Sequence, residues 1–124
     1  GGMKGRRREM IRAEVHQLLS AAFGVEQVHS EYGMTELNSQ AYALKEEVFT
    51  PAKTMKVFAR DVNDPFQLLS HGKTGALNII DLQNLYSCAF IETKDLGRVN
   101  AQGQFEVLGR MDNADIRGCN LMVL

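Results

Sequence analysis

The clearest structural signal in the sequence lies in residues 88–108, which read CAFIETKDLGRVNAQGQFEVL. Residues 88–93 are mostly apolar or β-branched, which is typical of a buried strand. Residues 100–103 supply the residue types that tight turns favour, and they lie between the short runs 98–99 and 105–108. The stretch therefore predicts a strand followed by a β-hairpin, and it indicates antiparallel β structure in this half of the chain.

Further strand candidates lie upstream of this hairpin. They are runs of apolar and β-favouring residues bounded by turn-forming residues, at positions 25–29, 49–59, 66–70 and 76–81. Pro51 interrupts the second run, because proline cannot donate a hydrogen bond to a strand ladder. Together these runs predict a β subdomain over residues 49–110, with a tail over residues 111–124.

One helix is predicted near the start of the chain, over residues 6–23. Its apolar residues recur every three to four positions and therefore share one face: Met10, Ile11, Val15, Leu18, Leu19, Ala22 and Phe23. Gly24 follows directly and suits a helix C-cap that needs positive φ. The predicted fold class is α+β, with one N-terminal amphipathic helix followed by a mostly antiparallel β subdomain.

Length and composition limit the classes of protein to which the chain can belong. Its 124 residues fit one domain, and 44% hydrophobic with 23% charged residues argue against a disordered chain. A net charge of −1 argues against a strongly electrostatic nucleic-acid binder. The apolar runs are too short to span a membrane. Two cysteines, Cys88 and Cys119, are too few for a disulfide scaffold and favour a reducing cytoplasm.

The polar loop 29–40 contains the pentapeptide Tyr32-Gly33-Met34-Thr35-Glu36. An aromatic ring can stack on a nucleobase, and glycine lets the backbone approach a ligand closely. The hydroxyl of Thr35 can bind a phosphate oxygen, and the carboxylate of Glu36 is a hard oxygen ligand suited to Mg²⁺. By themselves these residue types leave a plain polar loop as the alternative.

Other motifs in the sequence do not carry chemistry. The tripeptide Gly72-Lys73-Thr74 ends like a phosphate-binding P-loop, but the glycine required at position 67 is Gln67. The three histidines do not stand at zinc-ligand spacing from a cysteine. Cys88 lies in an apolar run and is predicted to be a small core residue.

Three motifs, in this order, resemble those of the adenylate-forming superfamily of acyl-CoA synthetases, peptide-synthetase adenylation domains and luciferases. They are the pentapeptide 32–36, residues 93–97 (Thr-Lys-Asp-Leu-Gly) before the hairpin, and residues 109–112 (Gly-Arg-Met-Asp) after it. The chain has a closer resemblance to the acyl-protein synthetases of the LuxE type, and this resemblance extends over the segments 2–7, 29–37 with 39–40, 63–66, 78–82 and 115–120.

The resemblance implies ATP and AMP as nucleotides and Mg²⁺ as the metal ion. Tyr32 would stack on adenine, with Gly1 and Gly2 at the ring edge. Thr35 would contact the α-phosphate, and Glu36 would hold the metal.

The same resemblance implies further roles in the second half of the chain. Asp95 would accept both ribose hydroxyls, and Arg110 would approach the ribose or a phosphate. Asp112 would mark a hinge. Cys119 would carry the acyl group as a thioester, with a structural cysteine as the alternative.

Departures from the superfamily pattern indicate a C-terminal portion of a longer enzyme. The Ser/Thr/Gly-rich phosphate loop has no counterpart in the sequence, Lys94 stands where glycine is usual, and only a short tail follows Asp112. The first residue is Gly1 rather than Met, so the chain is processed, altered for expression, or a piece of something longer. We therefore expect that this portion alone cannot form an adenylate, and that its unpaired sheet edges favour a homo-oligomer.

The implied function of the parent enzyme is to activate a fatty acid as acyl-AMP and to transfer the acyl group to a cysteine. An acyl-accepting reductase or carrier protein would be its partner. One alternative is a short acyl- or aryl-CoA ligase related to phenylacetate-CoA ligases, which would not need Cys119. Another is a non-catalytic module that binds a nucleotide or a partner.

Overall fold

The computed structural model describes residue 10 and residues 12–44 and 47–111. In this part of the chain the helix α1 spans Arg12–Phe23 and a 3₁₀ turn spans Leu82–Asn84. Seven strands account for the remaining regular structure: β1 Ser30–Tyr32, β2 Ala41–Ala43, β3 Val48–Pro51, β4 Met55–Arg60, β5 Thr74–Asp81, β6 Phe90–Val99 and β7 Phe105–Arg110. The predicted α+β class is confirmed.

The seven strands form one sheet in the order β1-β2-β3-β7-β6-β5-β4, and every neighbouring pair is antiparallel. The largest fully buried apolar side chains come from three different strands, β3, β5 and β7: Phe49, Leu77, Ile79 and Phe105. The hydroxyl of Tyr32 on the edge strand β1 hydrogen-bonds to Asp95 on β6, although β6 is four places away in the strand order. The sheet must therefore curl strongly to bring these two strands together. This curl brings the two halves of the chain together around one core.

The predicted β-hairpin is present between β6 and β7. The side-chain oxygen of Asn100 accepts hydrogen bonds from the backbone N–H groups of Gln102 and Gln104, and Gly103 has a φ of 79°. Both arms are longer than predicted, since β6 continues through residues 93–97 to form one ten-residue strand. The motif residue Asp95 therefore lies within a strand.

The helix α1 ends where the sequence predicted. Gly24 has a φ of 65°, and the N–H of Val25 donates to the carbonyl of Ser20, which closes the helix with a Schellman-type cap. His16 Nε2 lies 2.9 Å from Ser30 Oγ and links the helix to β1. The predicted helix start at residues 6–9 lies outside the described residues. No helix in the described part of the chain is long and apolar enough to cross a membrane.

The apolar face of α1 is largely uncovered by the described residues. Leu18 is 60% exposed and Phe23 is 74% exposed. The sheet edges are the three-residue strand β1 and the strand β4, which Leu68 meets through a single bridge to Arg60. The expected homo-oligomer stays a prediction.

Three local predictions were wrong. Residues 25–29 do not form a strand, because sheet pairing begins only at Ser30, opposite Ala43. Residues 66–70 contribute only the bridge of Leu68 to Arg60. Cys88 is exposed, not buried, because it precedes β6 in the segment after the 3₁₀ turn.

The close approach of β6 to its neighbours requires glycine at position 97. A Cβ added there would overlap the carbonyl oxygen of Glu106 and would lie 2.9 Å from Cδ1 of Leu77. We expect Gly97→Ala to lower the free energy of unfolding by about 1–3 kcal/mol, as overpacking of a core does. Urea unfolding followed by circular dichroism measures this change.

Gly109→Ala is the matched control for this substitution. Gly109 lies on the adjacent strand β7, and a Cβ there would meet nothing within 4 Å. We expect its effect to stay within about 0.5 kcal/mol. Equal losses in the two variants would contradict the close approach at Gly97.

Candidate functional site

Tyr32 lies at the end of β1 and is only 8% exposed. Its ring meets Phe49 and Phe105 in edge-to-face geometry, with ring centroids 5.9 and 5.1 Å away. Its hydroxyl donates a 2.7 Å hydrogen bond to Oδ2 of Asp95. Burial raises the pKa of Tyr32 above its usual range, and the hydrogen bond and charge of Asp95 raise it further. The phenol therefore stays protonated and remains a donor.

Asp95 joins Tyr32 to Arg110. Its second oxygen, Oδ1, lies 3.6 Å from Nε of Arg110. The Asp95 side chain is 15% exposed and that of Arg110 is 74% exposed. A long contact to an exposed arginine contributes little to stability, so Arg110 is free to rearrange around a ligand. The structure thus brings together three residues that the sequence assigned to a nucleotide site.

The motif turn after β1 presents Thr35 and Glu36 to solvent. The N–H of Leu37 donates a 3.0 Å hydrogen bond to the carbonyl of Met34, which closes a β-turn with Thr35 and Glu36 at its tip. Leu37 is buried and fixes the turn to the core. Since four residues of chain span at most about 14 Å, the Cα atom of Glu36 lies no farther than this from the Cα atom of Tyr32.

The buried carboxylate of Asp81 holds the loop that follows this turn. Oδ2 accepts 2.8 Å hydrogen bonds from the N–H groups of Asn38 and Ser39. Oδ1 accepts from the hydroxyl of Ser39 at 2.6 Å and from the N–H of Gln83 at 3.0 Å. Desolvation raises the pKa of Asp81, but hydrogen bonds from these three residues outweigh it, so the pKa lies below its usual value.

Asn84 holds the motif turn itself. Its side-chain nitrogen donates to the carbonyl of Glu36 at 2.8 Å and to the carbonyl of Cys88 at 2.9 Å. Its side-chain oxygen accepts a 3.2 Å hydrogen bond from the side-chain NH₂ group of Asn38. Asn84 is 9% exposed, so these bonds are largely shielded from water. Together, Asp81 and Asn84 fix the Thr35–Glu36 turn to the end of β5.

Gly33 is not required by the packing of the chain itself. A Cβ at this position would meet Gln40 Cγ at 3.4 Å and Glu31 Oε1 at 3.6 Å, which are ordinary contacts. Its φ is not in the left-handed region. The fold therefore leaves room for alanine, and close approach of a ligand is an explanation for glycine that the packing leaves open.

Glu36 can bind the predicted Mg²⁺ only if further ligands come from another molecule. Within the described residues, no group of three or more His, Cys, Asp or Glu side chains could hold a metal ion. Mg²⁺ is commonly bound by one or two carboxylates together with the phosphates of a nucleotide. A single exposed carboxylate therefore suits a metal that arrives with a nucleotide.

Four predicted residues cannot be placed. Gly1, Gly2, Asp112 and Cys119 lie outside the described residues, and their roles stay predictions.

The sequence reasoning did not identify Asp81 and Asn84 as residues that shape the site. Asp81 lies in the segment 78–82, for which the sequence indicated only a family resemblance. The available signal was that Asp81 is a charged residue at the end of an apolar run, because a buried polar group must find hydrogen-bond partners.

Several solved structures are similar to this chain. ATP-bound MatB from Rhodopseudomonas palustris superimposes with a TM-score of 0.59 and 23% identity, over 79% of this chain and 23% of that one. For the O-succinylbenzoate coenzyme A synthetase MenE from Bacillus subtilis in complex with AMP, the values are 0.55 and 18%, over 79% and 24%. For the luciferase-like enzyme from the mealworm Zophobas morio, they are 0.59 and 14%, over 83% and 30%.

These likenesses establish the fold. The chain has the fold of a C-terminal piece of adenylate-forming enzymes, as the sequence predicted. It spans about a quarter of the length of the MatB and MenE structures. No protein-family profile and no curated protein matches the chain.

Asp81→Asn tests the buried carboxylate that holds the loop. The amide keeps one oxygen acceptor but turns an NH₂ group towards N–H and O–H donors, so we expect a loss of about 1–3 kcal/mol in the free energy of unfolding at pH 7. Because the folded-state pKa lies below the usual 3.8, the contribution of Asp81 is present above this value and is lost as pH falls through the folded pKa. The difference between the two proteins should therefore shrink as pH falls below about 4.

Asp64→Asn is the control, since Asp64 is exposed and its side chain accepts a local backbone hydrogen bond from Phe66. Urea unfolding at pH 7, 5 and 3 measures all three proteins. A constant difference across this range would contradict an ionised, hydrogen-bonded Asp81.

Proposed function

We propose that the chain is the nucleotide-binding C-terminal portion of an ATP-dependent ligase that activates a carboxylic acid as an acyl-adenylate. The observation that carries this proposal is the convergence of Tyr32, Asp95 and Arg110, which come from three strands, beside the held turn of Thr35 and Glu36. The fold adds support, because structures with the same fold are described as ATP-bound and in complex with AMP.

The chemistry of these groups suits a nucleotide. Asp95 can accept two ribose hydroxyls, and Arg110 can rearrange towards the ribose or a phosphate. The hydroxyl of Thr35 can donate to the α-phosphate, and Glu36 can hold Mg²⁺. When bound, Mg²⁺ would neutralise phosphate charge during transfer. Adenine would lie near Tyr32, with Gly33 and the glycines Gly1 and Gly2 lining its approach.

In the proposed reaction, a carboxylate oxygen of the acid attacks the α-phosphorus of ATP. The bond to the β-phosphate breaks, and pyrophosphate leaves with its electron pair. The site residues of this chain would hold the ribose and the α-phosphate in line for this attack. The acid-binding portion would come from the rest of the parent enzyme.

The finer proposal is a LuxE-type acyl-protein synthetase that acts on a fatty acid. The thiolate of Cys119 would attack the acyl carbonyl of acyl-AMP, a thioester would form, and AMP would leave. The acyl group would then pass to a reductase or carrier protein. The resemblance of the chain supports this version, whereas the coenzyme A synthetase among the similar folds favours an acyl-CoA ligase as the second candidate.

Glu36→Gln tests the proposed metal contact. The full 124-residue chain is titrated with ATP, with and without Mg²⁺, by isothermal calorimetry. We expect Mg²⁺ to strengthen ATP binding by the native chain and this gain to fall about tenfold in the variant, since a neutral amide is a poorer ligand for a hard cation. Binding of AMP without metal should be unchanged.

Glu26→Gln is the control, because Glu26 is also an exposed glutamate outside the strands. An unchanged Mg²⁺ gain in Glu36→Gln would exclude Glu36 as a ligand. Absence of any nucleotide binding by the native chain would contradict the proposed function.

Acyl transfer is tested with preformed fatty acyl-AMP, which bypasses adenylate formation. Intact-protein mass spectrometry should detect an acyl adduct that hydroxylamine removes, as expected for a thioester. We expect Cys119→Ala to lose the adduct and Cys88→Ala to keep it. Cys88 is a demanding control, because its thiol is exposed.

Equal labelling of both variants would show that the adduct is non-specific and would contradict a role for Cys119. Transfer of the acyl group to coenzyme A that survives Cys119→Ala would favour the acyl-CoA ligase. Nucleotide binding without transfer to either acceptor would favour a binding module.

A further inference from the structure

We propose that Tyr32 acts on the bound nucleotide through its hydroxyl, as a positioning residue that orients Asp95 towards the ribose. This inference rests on the proposed nucleotide site. It assigns Tyr32 a role different from the stacking ring that the resemblance implies, and the two roles can be separated by experiment.

The first support is the burial of the tyrosine ring. Tyr32 is 8% exposed, and its ring packs against Phe49 and Phe105, which are themselves stacked with centroids 5.4 Å apart. Phe49 and Phe105 are each 1% exposed. The ring is therefore part of the core and offers little surface on which a base could stack. The same packing fixes the direction in which the hydroxyl points.

The second support is the way in which Asp95 is held. Oδ2 accepts the 2.7 Å hydrogen bond from the Tyr32 hydroxyl. The backbone N–H of Asp95 donates to the hydroxyl of Thr93, which is buried and donates in turn to the carbonyl of Leu77 at 2.7 Å. Both the backbone and one carboxylate oxygen of Asp95 are thus fixed from the protein side.

The third support is the open side of the carboxylate. Nε of Arg110 lies 3.6 Å from Oδ1, which is too long for a good hydrogen bond, and the Arg110 side chain is largely exposed. A ligand can therefore approach Oδ1 by displacing a weakly held side chain. With Oδ2 held by Tyr32, Asp95 presents a carboxylate of fixed orientation to two adjacent ribose hydroxyls.

A prearranged acceptor discriminates strongly against a ligand that lacks the matching hydroxyl. Without the Tyr32 hydroxyl, the carboxylate can rotate, and part of this discrimination should be lost. A stacking ring would make the opposite prediction, because phenylalanine keeps the ring. Tyr32→Phe therefore distinguishes the two roles with the removal of a single oxygen atom.

The experiment measures the preference for AMP over 2′-deoxy-AMP by calorimetry on the full 124-residue chain. The proteins are the native chain, Tyr32→Phe, Asp95→Asn and the double variant. Tyr42→Phe is the control, since Tyr42 lies on β2 and is 48% exposed. Because the preference is a ratio measured on one protein sample, partial loss of folded protein cancels.

We expect Tyr32→Phe to lower the preference about tenfold, which is the scale of one hydrogen bond to a charged group. Asp95→Asn should lower it at least as much, and Tyr32→Phe should add nothing in the double variant, because one residue acts through the other. Affinity for free adenine should be the same in the native chain and in Tyr32→Phe. Tyr42→Phe should keep the native preference.

An unchanged preference in Tyr32→Phe, with AMP still bound, overturns this inference and leaves the proposed function standing. A retained preference in Asp95→Asn also overturns it, even if Tyr32→Phe does not fold. If the native chain does not bind AMP, the proposed function fails, and this inference fails with it.

Discussion

The buried carboxylate of Asp81 is the group on which the candidate site depends. A carboxylate that is shielded from water must be hydrogen-bonded within the protein. The carboxylate of Asp81 accepts hydrogen bonds from Asn38, Ser39 and Gln83. Two of these donors belong to the loop that follows the motif turn. The need to satisfy one carboxylate thus fixes the loop to the end of β5, and Asn84 extends this hold to the carbonyl of Glu36. The exposed tip of the turn can then carry functional side chains without losing its position.

The curl of the sheet adds the second half of the site. Packing of Tyr32 against Phe49 and Phe105 brings β1 over the core, and the hydroxyl meets Asp95 on β6. The same tyrosine therefore has an apolar body that stabilises the fold and a polar end that reaches the site. Structural and functional roles are combined in one side chain, so a large substitution there would disturb both. This combination is the reason why the removal of a single hydroxyl is the more informative change.

Sequence patterns predicted the parts of the fold that local physics controls. The hairpin after Val99 follows from Asn100 and Gly103, and the end of α1 follows from Gly24, because each depends on neighbouring residues alone. The strand predicted at residues 25–29 was wrong because a strand also needs a partner, and pairing starts only at Ser30. Cys88 was predicted to be buried from an apolar run, but exposure depends on what packs against a segment, which the run does not specify.

By itself, the sequence determined the residue types of the site and the order of its motifs. Tyr32, Thr35 and Glu36 could be named from the chemistry of their side chains, whereas Asp95 and Arg110 were named only because their motifs resemble those of a known superfamily. Only the tertiary structure decided that Tyr32 and Asp95, 63 residues apart, share a hydrogen bond, and that Asp81 holds the motif loop. The physical reason is that long-range contacts depend on the curl and register of the whole sheet, which no local pattern encodes.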